Sequence, residues 1–143
     1  MKTVMRYILL LIVFSLIEAY GEVNAQNEPP YPGEAQLVSF EDLAYPALAR
    51  VTRIQGVVVV KATLDDEANV LTVSPVTGPK ALIADCLANA KKWKFKPNPQ
   101  KSAVIVYDFR IGSGACHDAS HSLFQLVHQN FATITACDPV IPG

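Results

Sequence analysis

The chain has 143 residues, half of them hydrophobic, and a formal net charge of −1. That length fits one domain and not two. The near-neutral balance lacks the basic field that nucleic-acid binding needs, so no nucleic-acid partner is expected.

The N-terminus carries Lys2 and Arg6, then an apolar run from Tyr7 to Ile17 broken only by Ser15. Val23-Asn24-Ala25 ends in a small residue before Gln26. This is the pattern of a secretory signal. A membrane span needs about 20 apolar residues, and this run is shorter. Residues 1–25 are therefore expected to be a signal peptide cleaved after Ala25. The alternative is a short signal-anchor, with membrane contact only if the segment is retained. No cysteine closely follows the apolar run, which argues against a lipid anchor. Export to an oxidising compartment permits disulfides.

Residues 26–41 hold Pro29, Pro30, Pro32 and Gly33 and read as an irregular linker. Pro46 fixes φ where a short helix can begin, so a helix is expected within Tyr45–Ile54. Gly56 reads as a hinge into a strong strand, Val57–Leu64. Alternation puts Val58, Val60, Ala62 and Leu64 on one face of it. Asp65-Asp66-Glu67-Ala68-Asn69 is a polar turn, and Val70–Val76 returns as a second strand, edged by Pro75. Thr77 is expected to cap the next helix, with Pro79 in its first turn. Leu82, Ile83, Cys86, Leu87 and Ala90 form its apolar stripe, and Lys91 and Lys92 suit its C-terminal end.

Trp93 and Phe95 then supply core aromatics, and Pro97 stops the chain. Val104–Ile111 is a third strand, with Ile105, Tyr107, Phe109 and Ile111 on one face. If the first strand lies between the other two, all neighbours are antiparallel and the sheet order is 2-1-3. One main helix packs on it, and the third strand is left on an edge.

Taken in this order, Tyr45-Pro46, Ile54-Gln55-Gly56-Val57-Val58-Val59-Val60 and Trp93-Lys94-Phe95-Lys96-Pro97 resemble the C-terminal domain of TonB-type energy transducers. The resemblance covers about half the chain, which we assign to residues 42–111. It implies an α+β fold of helix, strand, strand, helix, strand, with Gly56, Trp93, Phe95 and Pro97 in structural roles. It also implies a periplasmic or secreted protein, or one anchored in the inner membrane and facing the periplasm. Such transducers couple the inner membrane to outer-membrane receptors in transmembrane transport by strand addition. The implied partner is then a protein in the envelope, an outer-membrane receptor peptide above all. The implied partner-binding residues are Tyr45 and Pro46, with Val104, Ile105, Val106, Tyr107, Asp108 and Phe109 as the capturing edge. A free periplasmic binding or scaffold module with no transducing role is the alternative.

The chain departs from that family in three places. No long Pro-rich spacer is present, and residues 26–41 reach only about 55 Å when fully extended. Ala68 stands where the family has Gly, which leaves Asn69 to take a left-handed conformation. Residues 112–143 add a tail in which Ser122–His128 and Phe131–Ala136 read as a hairpin. Ser122–His128 is expected to run back against the third strand and cover its edge.

Of the cysteines, Cys86 falls on the helix stripe and reads as a buried free thiol. Cys116 and Cys137 bracket the tail hairpin at one end of the sheet and are the expected disulfide. The loop between them is about 20 residues, so the bond is worth roughly 3 kcal/mol in the loop-entropy model.

Cys116, His117, His121, His128 and Cys137 carry ligand atoms but lack a paired Cys-x-x-Cys, so no metal site is assigned. A nucleophile elbow, a His-Glu zinc motif and a glycine-rich phosphate loop are all missing, so neither an enzyme nor a cofactor is expected. Asp65, Asp66 and Glu67 read as solvated turn residues. Lys91, Lys92, Lys94, Lys96 and Lys101 read as a solvated basic ridge.

Overall fold

The run Val57–Val60 is β-branched throughout and cannot settle well in a helix, but it packs well on a pleated surface. In the computed structural model, which describes residues 35–112 and 122–138, it forms the centre of strand β2 (Gly56–Leu64). Val58, Val60, Ala62 and Leu64 all point into the core, and the alternate residues face outward. Before it come a short strand, β1 (Leu37–Ser39), and helix α1 (Ala47–Val51), for which Pro46 is the N-cap. β3 (Val70–Thr77) pairs antiparallel with β2.

Helix α2 (Lys80–Ala90) then lays Leu82, Cys86, Asn89 and Ala90 into the core. β4 (Lys94–Phe95) pairs antiparallel with β1. β5 (Ser102–Gly112) lies antiparallel to β2 along Ser102–Phe109. The tail supplies β6 (Ser122–His128) and β7 (Phe131–Cys137). The result is an α+β fold with a five-stranded sheet in the order β3-β2-β5-β7-β6 and a two-stranded β1-β4 pair.

Several expectations need correction. Thr77 does not cap α2; it ends β3, and Pro79 is the N-cap with no side-chain hydrogen bond to the helix. The reason is the crossing at Gly78, whose φ is +140° and whose Cβ, if present, would lie 2.8 Å from Val58 Cγ2. Only glycine fits there, and the chain leaves β3 too abruptly for Thr77 to reach the helix.

In the polar turn it is Ala68, with φ +62°, that is left-handed, not Asn69. Asn69 is held otherwise. Its backbone N–H donates to Asp65 Oδ1 at 2.7 Å, and its side-chain amide donates to Asp65 Oδ2 at 3.0 Å. The expected linker also ends early. Ala35 is buried and Leu37 packs against the core, so the folded unit begins before residue 41. The backbone amide of Lys96 donates to the Gln36 carbonyl, which ties this arm to the β4 end of the core.

The largest correction concerns the tail. Ser122–His128 does not lie against β5. β7 does, in parallel, and β6 sits outside it. Burial separates the two strands. Ala132, Ile134 and Ala136 of β7 are fully covered, whereas β6 keeps Leu123 and Val127 in solvent. The narrow apolar set suits the interior position and the bulky exposed set suits an edge.

Candidate protein-interaction edge

A strand can accept a foreign strand only if one row of its N–H and C=O groups is open. β5 is flanked on both sides. β2 takes Ser102–Phe109, and β7 takes Val106–Gly112 in the register Val106↔Phe131 through Gly112↔Cys137. The Val106 amide donates to the Asn130 carbonyl at 2.8 Å, just where the parallel pairing begins. Of the expected capturing residues, Val106, Tyr107, Asp108 and Phe109 therefore lie opposite β7, and Val104 and Ile105 lie just before its start. Ile105, Tyr107 and Phe109 point into the core. Asp108 lies on the opposite face of the strand yet is itself buried, and its Oδ2 accepts from Arg110 Nε at 2.7 Å.

Tyr45 is also committed internally. It is 6% exposed, its hydroxyl donates to the Ile54 carbonyl at 2.6 Å, and its ring meets Phe109 edge-on at 5.2 Å. Burial pushes its phenol pKa up. Pro46 is half-buried beside it. Gly56, Trp93 and Phe95 take structural positions: Gly56 opens β2, and both aromatics are buried. Pro97 is exposed after β4.

Sequence reasoning missed the strap that holds the tail. The arm from Ala35 to Tyr45 touches β6 and the turn that joins it to β7. Asn130 Nδ2 donates to the Ala35 carbonyl at 3.0 Å, Phe40 stacks on Phe124 at 5.6 Å, and the Tyr45 amide donates to Ser122 Oγ at 2.9 Å. Phe40 also touches Trp93, at 5.8 Å. At the far end of β7, Arg53, in the turn that follows α1, and Asp138 form an ion pair that joins that turn to the tail. The signal for the strap lay in Phe40, an aromatic in a segment that otherwise reads as linker.

Asn89 was missed too. Its Oδ1 accepts from Trp93 Nε1 at 2.8 Å and from the Tyr107 hydroxyl at 2.9 Å. Its Nδ2 donates to the carbonyls of Glu41 and Asp42 at 3.0 and 3.2 Å. One buried amide thus ties α2, β5 and the arm together.

Cys86 is a free, buried thiol, pushed up to about 12 by desolvation and then by Asp85. Cys137 closes β7, while Cys116 lies outside the described residues, as do His117, His121 and the expected signal segment. Among the described residues, no group of three or more His, Cys, Asp or Glu is placed to hold a metal, and no helix is long and apolar enough to cross a membrane. In the basic ridge, Lys92 pairs with Glu41 at 2.9 Å and Lys101 pairs with Asp66. All four side chains are largely solvated, so these pairs contribute little.

Residues 41–111 match the family model described as Gram-negative bacterial TonB protein C-terminal. A comparison with curated proteins found no match. The matched segment ends within β5, so β6 and β7 lie beyond it.

Proposed function

Residues 41–111 are a TonB C-terminal domain, and on that premise we propose that the chain is a non-enzymatic protein-interaction module of the cell envelope. Its capturing edge is filled by its own tail. The observation that carries this reading is the parallel pairing of β7 along Val106–Gly112. Family membership supports an envelope location, and the signal-like pattern of residues 1–25 supports a cleaved N-terminal segment. A Cys116–Cys137 bond would fasten the tail. It is supported by the pairing of Gly112 with Cys137, since Cys116 follows Gly112 after four residues, a reach of at most about 14 Å.

The same family match favours a second reading, an energy transducer that couples the inner membrane to an outer-membrane receptor. That role needs the receptor segment to reach β5, so β7 must leave first.

Amide hydrogen exchange on the full chain separates the two. The Val106 amide points to the tail, and by alternation Asp108 and Arg110 do the same. In the capped module these three stay protected when an extended peptide from the periplasmic end of an outer-membrane receptor is added. If the peptide instead frees the β7 amides while keeping those of β5 protected, the tail is a displaceable plug and the transducer reading replaces the capped one.

A further inference from the structure

Among the described residues, the two outer strands of the sheet are built differently. β3 carries Pro75, which has no N–H to offer, and its ladder with β2 slips between Val59 and Val60 and again between Thr63 and Leu64. Both devices discourage a foreign strand. β6 has little of this. Its sequence, Ser-Leu-Phe-Gln-Leu-Val-His, contains no proline, glycine, lysine or acidic residue, and its ladder with β7 slips only at the end, between Leu126 and His128.

The strand is also nearly symmetric about Gln125. Phe124 and Leu126 flank it on one face, half-buried against the core. Leu123 and Val127 flank it on the other, 58% and 64% exposed.

We propose that β6 is a self-pairing edge, on which a second copy of this chain docks its own β6 antiparallel across a twofold axis through Gln125. In that register Leu123 stands opposite Val127 of the partner subunit, and Phe124 stands opposite Leu126 of the partner subunit. The twofold repeats each contact, so one strand supplies a complete self-complementary patch. Cross-strand aliphatic and aromatic–aliphatic pairs are the kind that stabilise a sheet. A strand without acidic or lysine residues sets no such charge against its own copy. The Phe40–Phe124 stack and the Tyr45–Ser122 hydrogen bond already hold β6 in place, so little ordering is needed on docking. One strand buries far less than the roughly 1,600 Å² of a standard interface, so the pairing is weak and concentration-dependent. The proposal goes beyond the capped-module reading and does not depend on which protein the envelope partner is.

Sedimentation equilibrium of the full chain tests it, over about a hundredfold concentration range centred near 100 µM, where weak strand pairing is read. The weight-average mass is expected to climb from one chain toward two. Leu123→Lys with Val127→Lys sets like charges opposite each other in both symmetric contacts and holds the protein at one chain. Leu123→Lys with Val127→Glu sets opposite charges there and brings the concentration dependence back. Both positions are exposed, and thermal midpoints close to the parent value show that the fold is kept. The wild-type series decides alone should a variant unfold. A mass fixed at one chain throughout overturns the proposal, as does association of the double-lysine variant equal to wild type. If a receptor peptide shifts β6 amide resonances while the chains stay single, the edge belongs to a foreign strand and the self-pairing is wrong.

Discussion

Asn89 occupies a stripe position where helical spacing from Leu82 and Cys86 asks for an apolar side chain. Its amide is buried and makes four hydrogen bonds, to Trp93, Tyr107, Glu41 and Asp42. Removing one partner from a satisfied buried set leaves the others unpaired, and that cost exceeds the worth of the bonds themselves. Asn89→Ala is therefore expected to destabilise the fold by about 2–4 kcal/mol. Urea unfolding followed by Trp93 fluorescence measures it, and a loss under about 1 kcal/mol would show that water replaces the amide.

The buried acids of the core set the alkaline limit. Cys86 is pushed up to about 12 from 9.0, first by desolvation, and burial raises the Tyr107 and Tyr45 phenols as well. A folded pKa above the unfolded one means that the native state holds more protons in the window between them. Stability is then full below pH 9 and falls as pH rises from 9 toward 12. The decline is at most about 1.4 kcal/mol per pH unit for each group. Cys86→Ala should flatten the first part of it. An unchanged slope in that variant would assign the decline to the tyrosines alone.

Between elements, periodicity located the strands well and their neighbours poorly. Val58, Val60, Ala62 and Leu64 are buried as alternation requires, and Ile105, Tyr107 and Phe109 follow the same rule on β5. The two tail strands also alternate, so period alone could not say which of them touches β5. Hairpin geometry suggested the nearer strand in sequence. The structure instead places β7 there, with Ala132, Ile134 and Ala136 fully buried while Leu123 and Val127 of β6 remain in solvent. The capping residue of α2 and the left-handed residue of the polar turn were misread for a similar reason. Gly78 against Val58, and Asp65 reaching Asn69, are contacts that local propensity does not encode.

The placement of β7 has a direct consequence. Ile134 is fully buried between β5 and β6, so Ile134→Ala should cost about 2–4 kcal/mol through lost burial and a cavity. It should also speed amide exchange at Val106, which an edge position for β7 would leave untouched.

For the molecule as a whole, the family domain and its added tail share one core. Phe40 links Trp93 to Phe124, Asn130 reaches Ala35, and Arg53 pairs with Asp138 across the same boundary. A tail held this way should unfold together with the domain, not before it. Trp93 fluorescence reports the domain and far-ultraviolet circular dichroism reports all strands, so their denaturant transitions should coincide. A Cys116–Cys137 bond would add a constraint on the unfolded chain, since it would close a loop of about 20 residues worth roughly 3 kcal/mol. Reduction should then lower the common midpoint while leaving the two signals superimposed. If reduction instead splits them, with dichroism lost first, the bond is what holds β6 and β7 to the sheet. The strap from Ala35 to Tyr45 would then be too weak to do so alone. If the midpoint does not move at all, the two cysteines are not joined, and the strap together with the β5–β7 pairing accounts for the whole attachment of the tail.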